Sequence, residues 1–293
     1  MKKIILNGCS WVAGDEIAWD LFCKEFNLID EDYNTFGERH KHDRVKISLI
    51  HHYRDKWRRK HNQGGMLSKL LNTQVDDLAI DGNSNDSIAL TTISHIMQIP
   101  IEERKEYHVI IGWTILERIL YYLDYYWENC RPADYERTEN NWPRWKNRFL
   151  GLVEQTDDDW FLNYYKNVIL LESFLKSNQM TYTFYRSIGN GNQYVKQDSS
   201  EYNLFFNKKN PGDRNQFIQI FNLNAESIDS NSWLTFFEED KNRPLLGHSW
   251  TTYMGRNYGT TFWVTPTNRH PHRRFTEMLA NKIVDHLRDR SLL

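Results

Sequence analysis

Lys2-Lys3-Ile4-Ile5-Leu6-Asn7-Gly8-Cys9-Ser10-Trp11 is the stretch that decides the architecture. Its isoleucine-rich apolar run predicts a buried strand that stops abruptly at the turn-like pair Asn7-Gly8. A continuous apolar strand, rather than an alternating one, is expected to be covered on both faces. Further along, Val75 to Ile80 reads as a second strand, Val109 to Ile111 as a third and Met180 to Tyr185 as a fourth. Helical spacing lies between and after them: Ile17, Leu21, Phe22 and Phe26; a helix capped by Ser84 or Asn85 and running through Ile88, Thr92 and Ile96; Phe161 to Leu175; and Phe275 to Leu287. Strands alternating with helices predict a three-layer α/β/α sandwich around a central parallel sheet of about five strands.

The chain has 293 residues, 40% hydrophobic, 14% aromatic and 26% charged, with a formal net charge of −2. This is the composition of a folded globular protein and excludes a disordered one. A single domain is expected, with insertions near 30–65, 118–160 and 189–260. No overall basic field calls for nucleic acid or an anionic membrane. The apolar run after Lys2-Lys3 is broken by Asn7, well short of a secretory core of roughly 7–15 apolar residues. No stretch approaches the roughly 20 apolar residues of a spanning helix. A cytoplasmic or virion-associated protein without export signal is therefore expected. The three cysteines, Cys9, Cys23 and Cys130, fit no zinc spacing and read as reduced thiols.

In open parallel sheets, ligands bind beyond the carboxyl ends of the strands. Three short motifs fall at those ends: Gly8-Cys9-Ser10, Gly82-Asn83-Ser84-Asn85 and Gly112-Trp113-Thr114. A fourth, His270-Pro271, stands just before the last helix. A serine hydroxyl becomes a nucleophile when a neighbouring base takes its proton, and histidine is suited to that at neutral pH. Backbone N–H groups at the strand ends would hold the oxyanion that develops.

Together these motifs resemble the SGNH (GDSL-like) hydrolase family. Gly8-Cys9-Ser10-Trp11 is similar to its Gly-Asp-Ser nucleophile block, in the Gly-Cys-Ser form of phage and bacterial relatives. The resemblance implies Ser10 as nucleophile and His270 as base. It implies an oxyanion hole from the N–H groups of Ser10 and Gly82 and a side chain. Thr114 stands where the family carries asparagine; Asn85 is the other candidate donor. The family's aspartate, three residues before its histidine, is replaced by Thr267. The resemblance then leaves a Ser–His dyad, with a backbone carbonyl of Thr267 or Asn268 orienting the imidazole; Asp86 and Asp15 are carboxylates from elsewhere. The implied reaction is ester hydrolysis through an acyl-serine, without metal or cofactor. Acetyl groups on a carbohydrate are among the substrates the family suggests.

Each motif also has a plainer interpretation. Ser10 alone would serve as a helix cap, Gly82 as an ordinary turn glycine and Thr114 as a structural hydroxyl. His272 competes with His270 for the role of base. The missing aspartate and the threonine at 114 point to the alternative of an inactive binding or structural relative. From Glu38 to His61 there are nine Lys/Arg against three Asp/Glu. Segment 39–60 reads as a lid or partner-docking surface, with nucleic acid as the less favoured ligand. His40, His42, His51 and His52 match no standard metal spacing.

Overall fold

The computed structural model describes residues 2–14, 59–116, 118–123, 126–130, 157–188, 228–241, 248–259 and 273–293. The expected helix from Asp15, most of the basic stretch 39–60, and Thr267 to His272 lie outside the described residues.

Strand β1 (Lys3–Gly8) is interior to a four-stranded parallel sheet. It pairs with β2 (Val75–Asp77) on one side and with β3 (Tyr107–Trp113) on the other. Beyond β3 lies β6 (Thr181–Arg186), giving the order β2-β1-β3-β6. Trp233 adds a single parallel bridge to Phe184, where a fifth strand would lie. Each apolar run expected to be a strand is one. β2 is shorter than its run, although the chain stays beside β1 as far as Ile80: the N–H groups of Leu78 and Ile80 donate to Leu6 O and Gly8 O before the turn at Asp81-Gly82.

The period-two alternation of the strands sorts their side chains between two cores. Ile5, Val109, Ile111, Trp113, Tyr182 and Phe184 face one way. They are covered by Ile88, Ala89 and Ile96 of α3 (Asn85–Met97) and by Tyr164, Val168, Leu171 and Leu175 of α4 (Asp157–Ser177). Ile4, Leu6, Ile110 and Tyr185 face the other way. Their cover is α1 (Ser10–Ala13), α2 (Gln63–Leu71), α5 (Trp250–Tyr258) and α6 (Arg273–Asp289). Helix α6 carries Phe275, Leu279, Ile283 and Leu287 at helical spacing, all buried. Each such side chain contributes about 1.5–3 kcal/mol through burial. The molecule is the expected α/β/α sandwich.

Segment 118–160 contributes an antiparallel hairpin of β4 (Ile119–Leu123) and β5 (Tyr126–Cys130), which the sequence did not reveal. Among the described residues, no helix is long and apolar enough to cross a membrane.

Two glycines let α1 sit tightly on the strand ends. Gly8 and Gly112 are register partners across β1 and β3. A Cβ on Gly8 would meet Val12 Cγ2 at 2.3 Å, and one on Gly112 would meet Tyr185 Oη at 2.5 Å and Val12 Cγ2 at 2.6 Å. Only residues without side chains leave Val12 its place.

Candidate active site

Ser10 follows β1 by two residues and occupies the first position of α1. The cap position belongs to Cys9, whose backbone is extended (φ −92°, ψ −167°) and whose side chain makes no capping bond. Ser10 is thus not a helix cap. Helix α1 ends after one turn at Gly14, in the left-handed region at φ 72°, and the Gly14 N–H donates to Ser10 O. The residue is 5% exposed, and its hydroxyl makes no hydrogen bond to another described residue. Cys9 is fully buried, with Sγ 3.6 Å from the Ser187 hydroxyl, which donates to Trp113 O at 2.7 Å. The thiol packs inward while the serine follows at the helix start.

The loop after β2 is fastened to the peptide just before Ser10. Gly8 O accepts from Ile80 N–H at 3.3 Å and from Asn83 Nδ2 at 3.2 Å. Asn83 Oδ1 is buried and meets no donor among the described residues. Gly82 lies inside this loop at φ 78°, a conformation that favours glycine, with open space where a Cβ would stand. Its N–H has no hydrogen-bond partner among the described residues. Asn7, the residue that interrupts the apolar run, is the buried hub beneath. Its Nδ2 reaches Ile88 O, Thr91 Oγ1 and Thr92 Oγ1 at 2.9–3.1 Å, and its Oδ1 accepts from Gly8 N–H at 2.8 Å.

The end of β3 is held from α3. Ser84 caps that helix by accepting from Ser87 N–H, and Asn85 then faces Thr114. Thr114 N–H donates to Asn85 Oδ1 at 3.0 Å, while Asn85 Nδ2 donates to Ile115 O at 3.2 Å and Thr114 O at 3.5 Å. The Asn85 amide is spent on this bracket, so it acts as a fastening for Thr114 and not as the second candidate oxyanion donor. Thr114 is fully buried, and its Oγ1 accepts from Arg118 Nη1 at 3.4 Å. The same Nη1 donates to Asn83 O at 3.2 Å. One guanidinium therefore joins the loops that follow β2 and β3.

Asp86, considered from the sequence as a replacement triad acid, is engaged on the outer side of α3. It accepts from Leu120 N–H at 3.3 Å, Asn163 Nδ2 at 2.9 Å and Asn167 Nδ2 at 3.0 Å. It thus ties the hairpin and α4 to α3. Asp15, Thr267, Asn268, His270 and His272 lie outside the described residues.

A second imidazole was missed by the sequence reading. His248 Nδ1 lies 3.0 Å and 3.2 Å from the two Asp240 carboxylate oxygens, and the His248 N–H donates to Asp240 Oδ2 at 2.9 Å. Arg256 Nη2 approaches Nε2 at 3.1 Å. A guanidinium only donates, so Nε2 is the acceptor and Nδ1 carries the proton toward Asp240. Eight residues separate the partners, and a spacing of that length carries no motif. The structure thus brings together Ser10, Gly82, Asn85 and Thr114 at one end of the sheet. The signals for Asn7, Asn83 and Arg118 were weak, because nothing in the spacing along the chain singles out their polar side chains from the residues around them.

No protein-family model matches the chain, and no curated protein matches it. Solved structures similar in fold include TesA, with a TM-score of 0.42 and 11% identity over 100% of each chain. The psychrotrophic esterase EstA from Pseudoalteromonas sp., inhibited by monoethylphosphonate, superposes with a TM-score of 0.40 and 11% identity, over 99% of this chain and 98% of that one. The lipase Lip_vut3 from a goat rumen metagenome gives 0.36 and 13%, over 98% and 97%. At such scores the functional argument rests on the site's own residues.

Proposed function

We propose that the chain is a serine ester hydrolase of the SGNH type, with Ser10 as nucleophile. The supporting observation is a serine hydroxyl without a described hydrogen-bond partner just beyond the end of an interior parallel strand, with the Gly82 loop bonded to Gly8 O two residues before it. Ser10 Oγ attacks the ester carbonyl carbon while its proton passes to an imidazole. The carbonyl oxygen takes the negative charge beside the N–H groups of Ser10 and Gly82 and the Thr114 hydroxyl. The imidazolium returns the proton to the leaving alcohol, and water then cleaves the acyl-serine by the same steps.

His270 is the proposed base, on the strength of its place before α6. A second assignment has its own observation. His248 already has a carboxylate at Nδ1, the arrangement that prepares Nε2 to accept a proton. The chain reaches it after bridging β6 at Trp233, and so leaves the sheet at the end where Ser10 lies. Arg256 would have to release Nε2. The proposed substrate is an ester of an acetylated carbohydrate, supported by the family resemblance and by 14% aromatic residues that suit sugar faces.

The test is hydrolysis of p-nitrophenyl acetate and labelling by a fluorophosphonate. Wild type is expected to turn over and to be labelled at Ser10, and Ser10→Ala to do neither. Equal rates for the two proteins would establish an inactive relative instead. His270→Ala and His248→Ala, compared side by side, assign the base.

A further inference from the structure

We propose that Arg118 is a positioning residue for the oxyanion side of this site, acting through the Thr114 hydroxyl; the inference rests on the hydrolase function proposed above. Thr114 stands where the family's block would place an asparagine, whose amide is a fixed donor. A threonine hydroxyl is a weaker substitute, because it rotates and both donates and accepts. Arg118 removes that ambiguity. A guanidinium has five N–H donors and no acceptor, so at the 3.4 Å contact Thr114 Oγ1 can only accept. The hydroxyl hydrogen is then directed away from Arg118.

Three further observations make this a built arrangement. First, the Thr114 backbone is held separately, by its N–H bond to Asn85 Oδ1 at 3.0 Å, so the hydroxyl's origin is fixed. Second, Arg118 Nη1 also holds Asn83 O at 3.2 Å, which ties the Gly82 loop to the same cation. Third, Arg118 is only 9% exposed and directly precedes β4, whose Leu120 N–H is anchored to Asp86. A hydroxyl accepting from a cation is also polarised and donates more strongly. Arginine and threonine together would do what the missing asparagine does elsewhere.

The experiment measures p-nitrophenyl acetate kinetics and thermal melting for wild type, Ser10→Ala, Arg118→Met, Thr114→Val and the Arg118→Met/Thr114→Val double variant. Arg118→Met is expected to lower kcat about 10²-fold, the usual effect of one lost oxyanion donor, with KM changed less than about threefold. Because both residues act on one hydrogen bond, the double variant should be no slower than the slower single variant. In a further variant, Arg118→Ala, which leaves room for the added cation, methylguanidinium should partly restore the rate, and it should leave Thr114→Val unchanged. A kcat for Arg118→Met within about twofold of wild type, with Ser10→Ala inactive, would overturn the positioning role alone. So would losses that multiply in the double variant. If wild type and Ser10→Ala turn over equally, the hydrolase function itself fails and Arg118 loses its role with it. Should Arg118→Met fail to fold, Arg118→Lys with Thr114→Val carries the same coupling test.

Discussion

Asn85 and Thr114 hold each other in both directions: the threonine N–H donates to the asparagine Oδ1 at 3.0 Å, and the asparagine Nδ2 returns to the threonine carbonyl at 3.5 Å. The pair joins the first turn of α3 to the end of β3. Replacing Asn85 with leucine would leave a buried N–H and two carbonyls without this partner. We expect a loss of about 1–3 kcal/mol in urea unfolding, and a fall in kcat for the proposed ester hydrolysis because Thr114 loses its anchor. Asn85→Asp should keep the Thr114 N–H bond but set a carboxylate against two carbonyl oxygens. It should unfold more readily than wild type at pH 7.

Gly112 and Gly255 predict effects of opposite sign. Alanine at 112 would bring its Cβ within 2.5 Å of Tyr185 Oη and 2.6 Å of Val12 Cγ2. Overpacking of this kind costs about 1–3 kcal/mol. Gly255 sits inside α5 with nothing within 4 Å of a new Cβ. Gly255→Ala should raise stability by about 0.5–1 kcal/mol. Thermal melts of the two variants, compared with wild type, check both signs.

Asp86 serves three donors from two different elements. Asp86→Leu should leave the Asn163 amide and the Leu120 N–H without this acceptor, and the Asn167 amide with Asn163 O alone. The expected loss is about 2 kcal/mol or more, read as a shift in urea midpoint. Hydrogen exchange should then quicken in 119–130 ahead of β1 and β3, since the hairpin loses its tie to α3.

Stability should fall on acidification below neutrality, and His108 is a principal cause. Its two ring nitrogens meet the hydroxyls of Thr181 and Thr183 at 2.9 Å and 3.0 Å. Burial, reinforced by Arg290, Lys2 and His286, holds its pKa down to about 3 from an ordinary 6.5. Burial and Arg290 lower His286 to about 4, with Asp289 opposing. Below about pH 6.5 the unfolded chain takes up these protons and the folded one does not. The stability they contribute is therefore whole above about pH 6.5 and is lost as pH falls toward 4. Each histidine contributes a slope of about 1.4 kcal/mol per pH unit in that window. Urea midpoints at pH 7, 6 and 5 measure the slope, and His108→Gln should flatten it. A profile unchanged by His108→Gln would show that His108 is protonated in the fold.

The sheet was legible because its strands are covered on both faces. Ile4-Ile5-Leu6 and Val109-Ile110-Ile111 have no polar residue to confuse the period. Gly8 and Gly112 were legible for a related reason, since each follows such a run. Arg118 was not legible as a site-builder, because a charged residue in a polar segment looks like surface, and the tie that Asp86 makes from α3 to the hairpin and α4 was not legible either. The β4–β5 hairpin that follows Arg118 and bonds Asp86 through Leu120 N–H has an aromatic sequence with no turn signal that distinguishes it. From the sequence, Asn85 is the alternative to Thr114 as oxyanion donor, one helical turn from Gly82. Its partner proved to be backbone from β3, a contact between residues 29 apart that spacing along the chain does not encode.

Ser10 rides on an inner strand whose two neighbours both come later in the chain. As the polypeptide emerges from the ribosome, β1 has no partner until Val75–Asp77 is made, and one bare edge until Tyr107–Trp113 joins. The loops that would receive the oxyanion arrive with those same neighbours. An incomplete chain thus carries the hydroxyl without its surroundings, and reactivity toward esters would report that the whole sheet has closed around it.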